Sequence, residues 1–173
     1  MNRFSLLHIL FFLLVIAVQL LFLNNIGFSG YINPYIYIII ILLLPLAMPE
    51  WGVLLTAFFT GLLFDIMAGT MGVHASATVT AAFVRPYLLR YIAPSDGYES
   101  MPVPSMANYG FSWFARYSLL MIFIHHTVLF YMEVFRFDDF FRTLLRVLLS
   151  TLFSWVVLLL AERYRASFKP TAR

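Results

Sequence analysis

Pro49 to His74 reads PEWGVLLTAFFTGLLFDIMAGTMGVH. Proline suits the first turn of a helix, and Glu50 beside it favours the positive end of the helix dipole. From Trp51 to Met67 the one ionisable side chain is Asp65. A run this apolar is what a helix needs to cross the hydrocarbon core. An acid near its end is expensive there, which makes Asp65 a functional-site candidate by default. Gly69 and Gly72 supply the backbone angles of a tight turn. Thr70 is the expected cap of the helix that follows. The stretch therefore predicts a helix, a corner and a second helix. Gly61, Asp65 and Gly69 are spaced by four and share a face as far as the helix persists, and small residues on that face let another backbone come close. His74 lies near Asp65 if the corner folds back. Two compatible roles follow for Asp65: a polar hinge or partner contact, and a structural corner in which its carboxylate binds backbone N–H groups of the following turn. Asp65 and His74 are too few to complete a metal site, and no metal, cofactor or catalytic group is expected.

Working outward, composition sets the class. The chain has 173 residues, 62% of them hydrophobic and 11% charged, with a mean hydropathy of +0.90. A soluble domain of this size needs far more polar surface. The expectation is an all-α, polytopic membrane helix bundle forming a single integral membrane domain over 1–173. About six transmembrane helices are predicted, near 4–23, 35–48, 50–67, 72–92, 113–135 and 141–161. The first lacks a small-x-small cleavage site and is long for a signal peptide, so it reads as an uncleaved helix. The second is short and interrupted by Pro45; were it re-entrant, the parity of the count would change. Ala93 to Tyr109 is a loop broken by Pro94, Gly97, Pro102 and Pro104. Asp138 or Asp139 is the expected cap of the last span. Most Lys and Arg fall on the side that holds the termini, which predicts both termini in the cytoplasm. The formal net charge of +3 thus serves orientation, and nucleic acid is not an expected partner. There is no cysteine, and no internal repeat points to an inverted-repeat transporter.

The remaining polar residues are read in the same way. Ala75 to Ala82 is a small-residue segment that should pack at the centre of the bundle. Arg85 and Arg90 are expected to snorkel to headgroups. His125 and His126 are adjacent, point about 100° apart and cannot chelate one ion together; bonds to neighbouring elements are the expected use of both, ahead of a proton relay. Glu133 is an expected partner for Arg142 or Arg146. Gly27-Phe28-Ser29-Gly30 matches the short Gly-x-Ser-Gly pattern of rhomboid-type intramembrane proteases, but a turn is the better reading of Asn and Gly there.

Gly61, Asp65, Gly69, Gly72 and His74, with Leu23-Asn24-Asn25-Ile26, Tyr31-Ile32-Asn33-Pro34-Tyr35 and Leu44-Pro45, resemble the rod shape-determining protein MreD family, and its Bacteroidetes branch in particular. The likeness is strong from about Leu23 to Arg85 and rests on hydropathy beyond. The loop from Ala93 to Tyr109 is longer than the family pattern. The resemblance implies a non-enzymatic subunit of the bacterial inner (cytoplasmic) membrane, part of the cell-elongation machinery. It implies association with MreC, regulation of RodA and a class B penicillin-binding protein, directly or through MreC, and company with the actin-like MreB. The family is also similar in fold to the substrate-binding subunits of energy-coupling-factor vitamin transporters. The alternative is therefore a small-molecule (vitamin)-binding subunit, with Asn24, Asn25, Asn33, Asp65 and His74 as pocket candidates.

Overall fold

The computed structural model describes residues 3–23, 32–95, 97–98, 102–135 and 139–167. Every regular element among them is helical: α1 (Arg3–Leu21), α2 (Ile39–Leu42), α3 (Glu50–Ala68), α4 (Val73–Tyr91), α5 (Met106–Tyr109), α6 (Phe111–Val134) and α7 (Phe140–Ser167). Three of these, α3, α6 and α7, are long and apolar enough to cross a membrane. α4 is as long as α3, but its alanines and threonines, several of them buried, make it less apolar.

α7 shows how the bundle is turned. Its buried stripe is Thr143, Val147, Ser150, Thr151, Ser154, Leu158 and Glu162, recurring at helical spacing. Its outward residues include Leu145, Leu148, Leu152, Val156 and Leu160. Polar groups face in and leucines face out, the reverse of a helix on a water-soluble core and the arrangement hydrocarbon demands. α3 likewise turns Leu55, Phe59, Leu63 and Ile66 outward.

The segment predicted as a second helix over 35–48 differs from that expectation. Only Ile39–Leu42 is α-helical, flanked by turns and extended chain. Pro34 and Pro45 limit a helix at both ends, and the five β-branched isoleucines between them disfavour anything longer than the single turn that forms. From Ile36 to Leu44 no residue is more than 6% exposed. A helix against lipid keeps an open face; this segment has none and threads the interior. One end lies against α7, where Asn33 N donates to Ser150 Oγ and Tyr35 N to Ser154 Oγ, both at 3.1 Å. At the other end Leu46 N donates to Pro102 O at 2.9 Å.

α6 and α7 match their predicted spans to within a few residues, except that α7 continues to Ser167. The extra turns carry Glu162, which is fully buried. It accepts from Met106 N at 3.1 Å at the start of α5 and pairs with Arg165. Asp138 lies outside the described residues, while Asp139 O accepts from Thr143 N.

Candidate functional site

α3 ends at Ala68 because Gly69 takes a left-handed conformation, φ 68°, and its N–H returns to Asp65 O. Thr70 N also donates to Asp65 O, at 2.9 Å. This is the usual helix stop of a left-handed glycine whose following amides recover orphan carbonyls. Gly72, φ 83°, then precedes α4. The sequence predicts Thr70 as the cap of that helix with Gly72 in its first turn. Instead the cap comes from the preceding helix. Asp65 Oδ1 accepts from His74 N and Oδ2 from Ala75 N, each at 2.9 Å. These are the second and third amides of α4, the ones an N-cap side chain ordinarily serves. The Thr70 hydroxyl donates to Asp65 Oδ1. The acid is 2% exposed, so its charge rests on three donors and on the positive end of α4.

Gly61 is one turn before Asp65. A Cβ there would lie 2.6 Å from His74 O and closer still to Thr78 Oγ1 and Ala75 Cα. Thr78 Oγ1 donates to Ala57 O at 2.9 Å, joining the same two helices. Gly61 therefore sets how near α3 and α4 approach. Gly69 does not share that packing face: it ends the helix, and the space around its Cβ position is open. The five motif residues thus meet in one corner in which each has a distinct part.

His74 contributes its amide to Asp65 and its ring elsewhere. Its Nδ1 is 2.8 Å from Tyr37 Oη, which is 2.9 Å from His125 Nε2. Tyr37 also stacks on Phe64, ring centroids 3.9 Å apart. The hydroxyl has one proton, so one ring donates to it and the other accepts from it. His125 Nδ1 is buried with no partner among the described residues. A stranded lone pair costs less than a stranded N–H. For neutral rings this assigns the proton of His125 to Nε2, donating to Tyr37, which donates to His74 Nδ1. His74 then carries its proton on Nε2, on a ring lining a cavity of about 300 Å³ with Asn33, Tyr35 and Met67. Of the pocket candidates, Asn33 and His74 share this cavity. Asp65 does not line it, and Asn24 and Asn25 lie outside the described residues, as does Gly27-Phe28-Ser29-Gly30. His126 Nδ1–H donates to Ile122 O at 2.9 Å, and Ser154 Oγ approaches its Nε2 at 3.5 Å. Both histidines of the pair are thus engaged separately, and no group of three or more metal-ligating side chains occurs among the described residues.

In comparisons with known proteins, no family model matches the chain, and neither does any curated protein or solved structure.

The residues that sequence reasoning missed surround the broken segment. Non-helical backbone at membrane depth is tolerated where protein satisfies its polar groups. Gln19 of α1, fully buried, donates from Nε2 to Pro34 O at 2.8 Å and accepts at Oε1 from Ile36 N at 2.7 Å. Ser150 and Ser154 serve Asn33 N and Tyr35 N. Tyr117 Oη donates to Leu42 O at 3.3 Å, and Arg85 donates to Leu44 O and, from Nε at 3.1 Å, to Tyr117 Oη. Arg85 is therefore not the snorkelling side chain expected of it; it is 4% exposed and turned into the bundle, while Arg90 is exposed. Glu133 pairs with Arg146 at 3.0 Å, and the Arg146 guanidinium lies 4.3 Å over Phe130. A polar residue inside an apolar run, such as Gln19, is the signal that could have found these partners.

Proposed function

We propose that this chain is a non-enzymatic subunit of the bacterial cell-elongation machinery in the cytoplasmic membrane. In this reading it binds MreC and, with it, regulates RodA and a class B penicillin-binding protein. The observation that carries the reading is the corner: Gly61, Asp65, Gly69, Gly72 and His74, whose pattern resembles that of MreD proteins, are spent on fixing how α3 meets α4. A motif used this way determines the shape of a helix surface. The surface it fixes includes the outward stripe Leu55, Phe59, Leu63 and Ile66, which is the proposed seat of the MreC membrane helix. Six crossings with both termini cytoplasmic belong to the same proposal. The course of 33–46 from the Asp65 end to the Arg85 end favours counting the broken segment as one of them. The test is co-purification of MreC and cell shape in a strain carrying Asp65→Leu or Gly69→Leu at normal protein level. Loss of MreC and rounding of cells is the expected result, and full association with normal shape would refute the role of the corner.

One observation favours a second reading, a small-molecule-binding transporter subunit: the cavity that joins Asn33, Tyr35 and His74. A vitamin recovered with the protein, and lost on His74→Ala, would favour it over the scaffold.

A further inference from the structure

At the end of the bundle opposite Asp65, Arg85 poses a problem of charge. Its Nε and one terminal amino group are used by Tyr117 Oη and Leu44 O, both neutral. No carboxylate pairs with it among the described residues. A guanidinium this deeply buried without a counter-charge is costly. It lines a cavity of about 150 Å³ between α3 and α4, with Glu50, Leu54, Ala82, Phe83, Pro86 and Tyr87. Pro86 has no N–H, so the Ala82 carbonyl one turn earlier loses its helical donor, and both residues line this cavity. Phe83 and Tyr87 of its lining are exposed at the outer surface of the bundle, and Trp51 and Tyr91 stand exposed at the same end. Exposed Trp and Tyr grouped at one end of a bundle mark the headgroup level.

We infer that this cavity binds the phosphate of an anionic phospholipid, with Arg85 as counter-charge and the apolar wall around Leu54 and Phe83 taking the upper acyl chain. A phosphate ester supplies the missing negative charge, and basic pockets between membrane helices hold such headgroups. The mixed lining favours a lipid over a free anion, which has no use for Leu54 or Phe83. Glu50 at the rim repels the same group, and this gives the inference a sign that can be checked.

The experiment is native mass spectrometry of the full-length protein delipidated in neutral detergent, titrated with phosphatidylglycerol, phosphatidylcholine or inorganic phosphate. Phosphatidylglycerol should bind about fivefold or more tightly than phosphatidylcholine, the weight of one basic residue at a membrane surface. Glu50→Gln should tighten phosphatidylglycerol and leave phosphatidylcholine unchanged. Arg85→Lys should keep the preference in weakened form, and Arg85→Gln should abolish it. Arg85→Gln also strips Leu44 O of its donor and endangers folding. Leu54→Trp, which fills the mouth without touching the charge, therefore serves as the second variant and should weaken both lipids. Equal binding of the two lipids, a preference unmoved by Glu50→Gln, lipid affinities unmoved by Leu54→Trp, or phosphate binding as well as phosphatidylglycerol would each overturn the assignment.

Discussion

Replacing Asp65 with alanine removes the acceptor for His74 N, Ala75 N and the Thr70 hydroxyl at once. A hydrogen bond to a charged group contributes about 1.5–3 kcal/mol. The two amide bonds share one carboxylate and are not independent, so a loss of about 3–5 kcal/mol is expected for the pair. Asp65→Asn keeps one acceptor oxygen and turns an NH2 group toward the other amide, and should cost about half as much. The assay is equilibrium unfolding in mixed micelles, titrating dodecyl sulfate against a mild detergent and following tryptophan fluorescence. Trp155 is a suitable reporter because its Nε1 donates to Ala115 O at 3.0 Å between α7 and α6. Thr70→Val removes one donor and leaves both amides capped, so it should fall well short of Asp65→Ala. A loss below about 1 kcal/mol for Asp65→Ala, within the range of an ordinary exposed cap, would refute the argument that this acid holds the start of α4.

Four further outcomes are expected in the same assay. Gly61→Ala drives a Cβ into α4 and should cost about 1–3 kcal/mol, the range of core overpacking; Gly69→Ala meets no neighbour but forces a side chain to φ 68°, and should cost about 1–2 kcal/mol. Gln19→Leu leaves Pro34 O and Ile36 N unpaired in the interior and should cost about 2–4 kcal/mol, whereas an unchanged midpoint would mean that the broken segment finds other partners. Tyr37→Phe keeps the stack on Phe64 but strands both His74 and His125, and a loss of about 1–3 kcal/mol is expected; a change under about 0.5 kcal/mol would remove the bridging role of the hydroxyl.

The corner was legible because its signal is local. An acid and two glycines interrupt an apolar run, and the residues that answer Asp65 lie within ten positions of it. Even so, the sequence points to Thr70 as the cap, because adjacency favours it, whereas a carboxylate from the previous helix reaches the same amides. The broken segment was not legible from hydropathy. Ten apolar residues between Pro34 and Pro45 read alike whether they form a lipid-facing helix or a buried thread. What distinguishes the two is the set of partners for the backbone, and those include Gln19, Arg85, Tyr117, Ser150 and Ser154, on four other helices. Arg85 departs from expectation for a related reason: a cation near a span end ordinarily reaches for headgroups, and its acceptor Leu44 O comes within reach only once the chain is folded.

The most direct test of the scaffold account is affinity purification of the tagged protein from its own membranes in mild detergent, with mass spectrometry of proteins and small molecules. The account predicts recovery of MreC together with RodA and its penicillin-binding partner, and their loss on Gly61→Leu at unchanged protein level. Recovery of a vitamin or of transporter ATPase subunits, without those proteins, would contradict it.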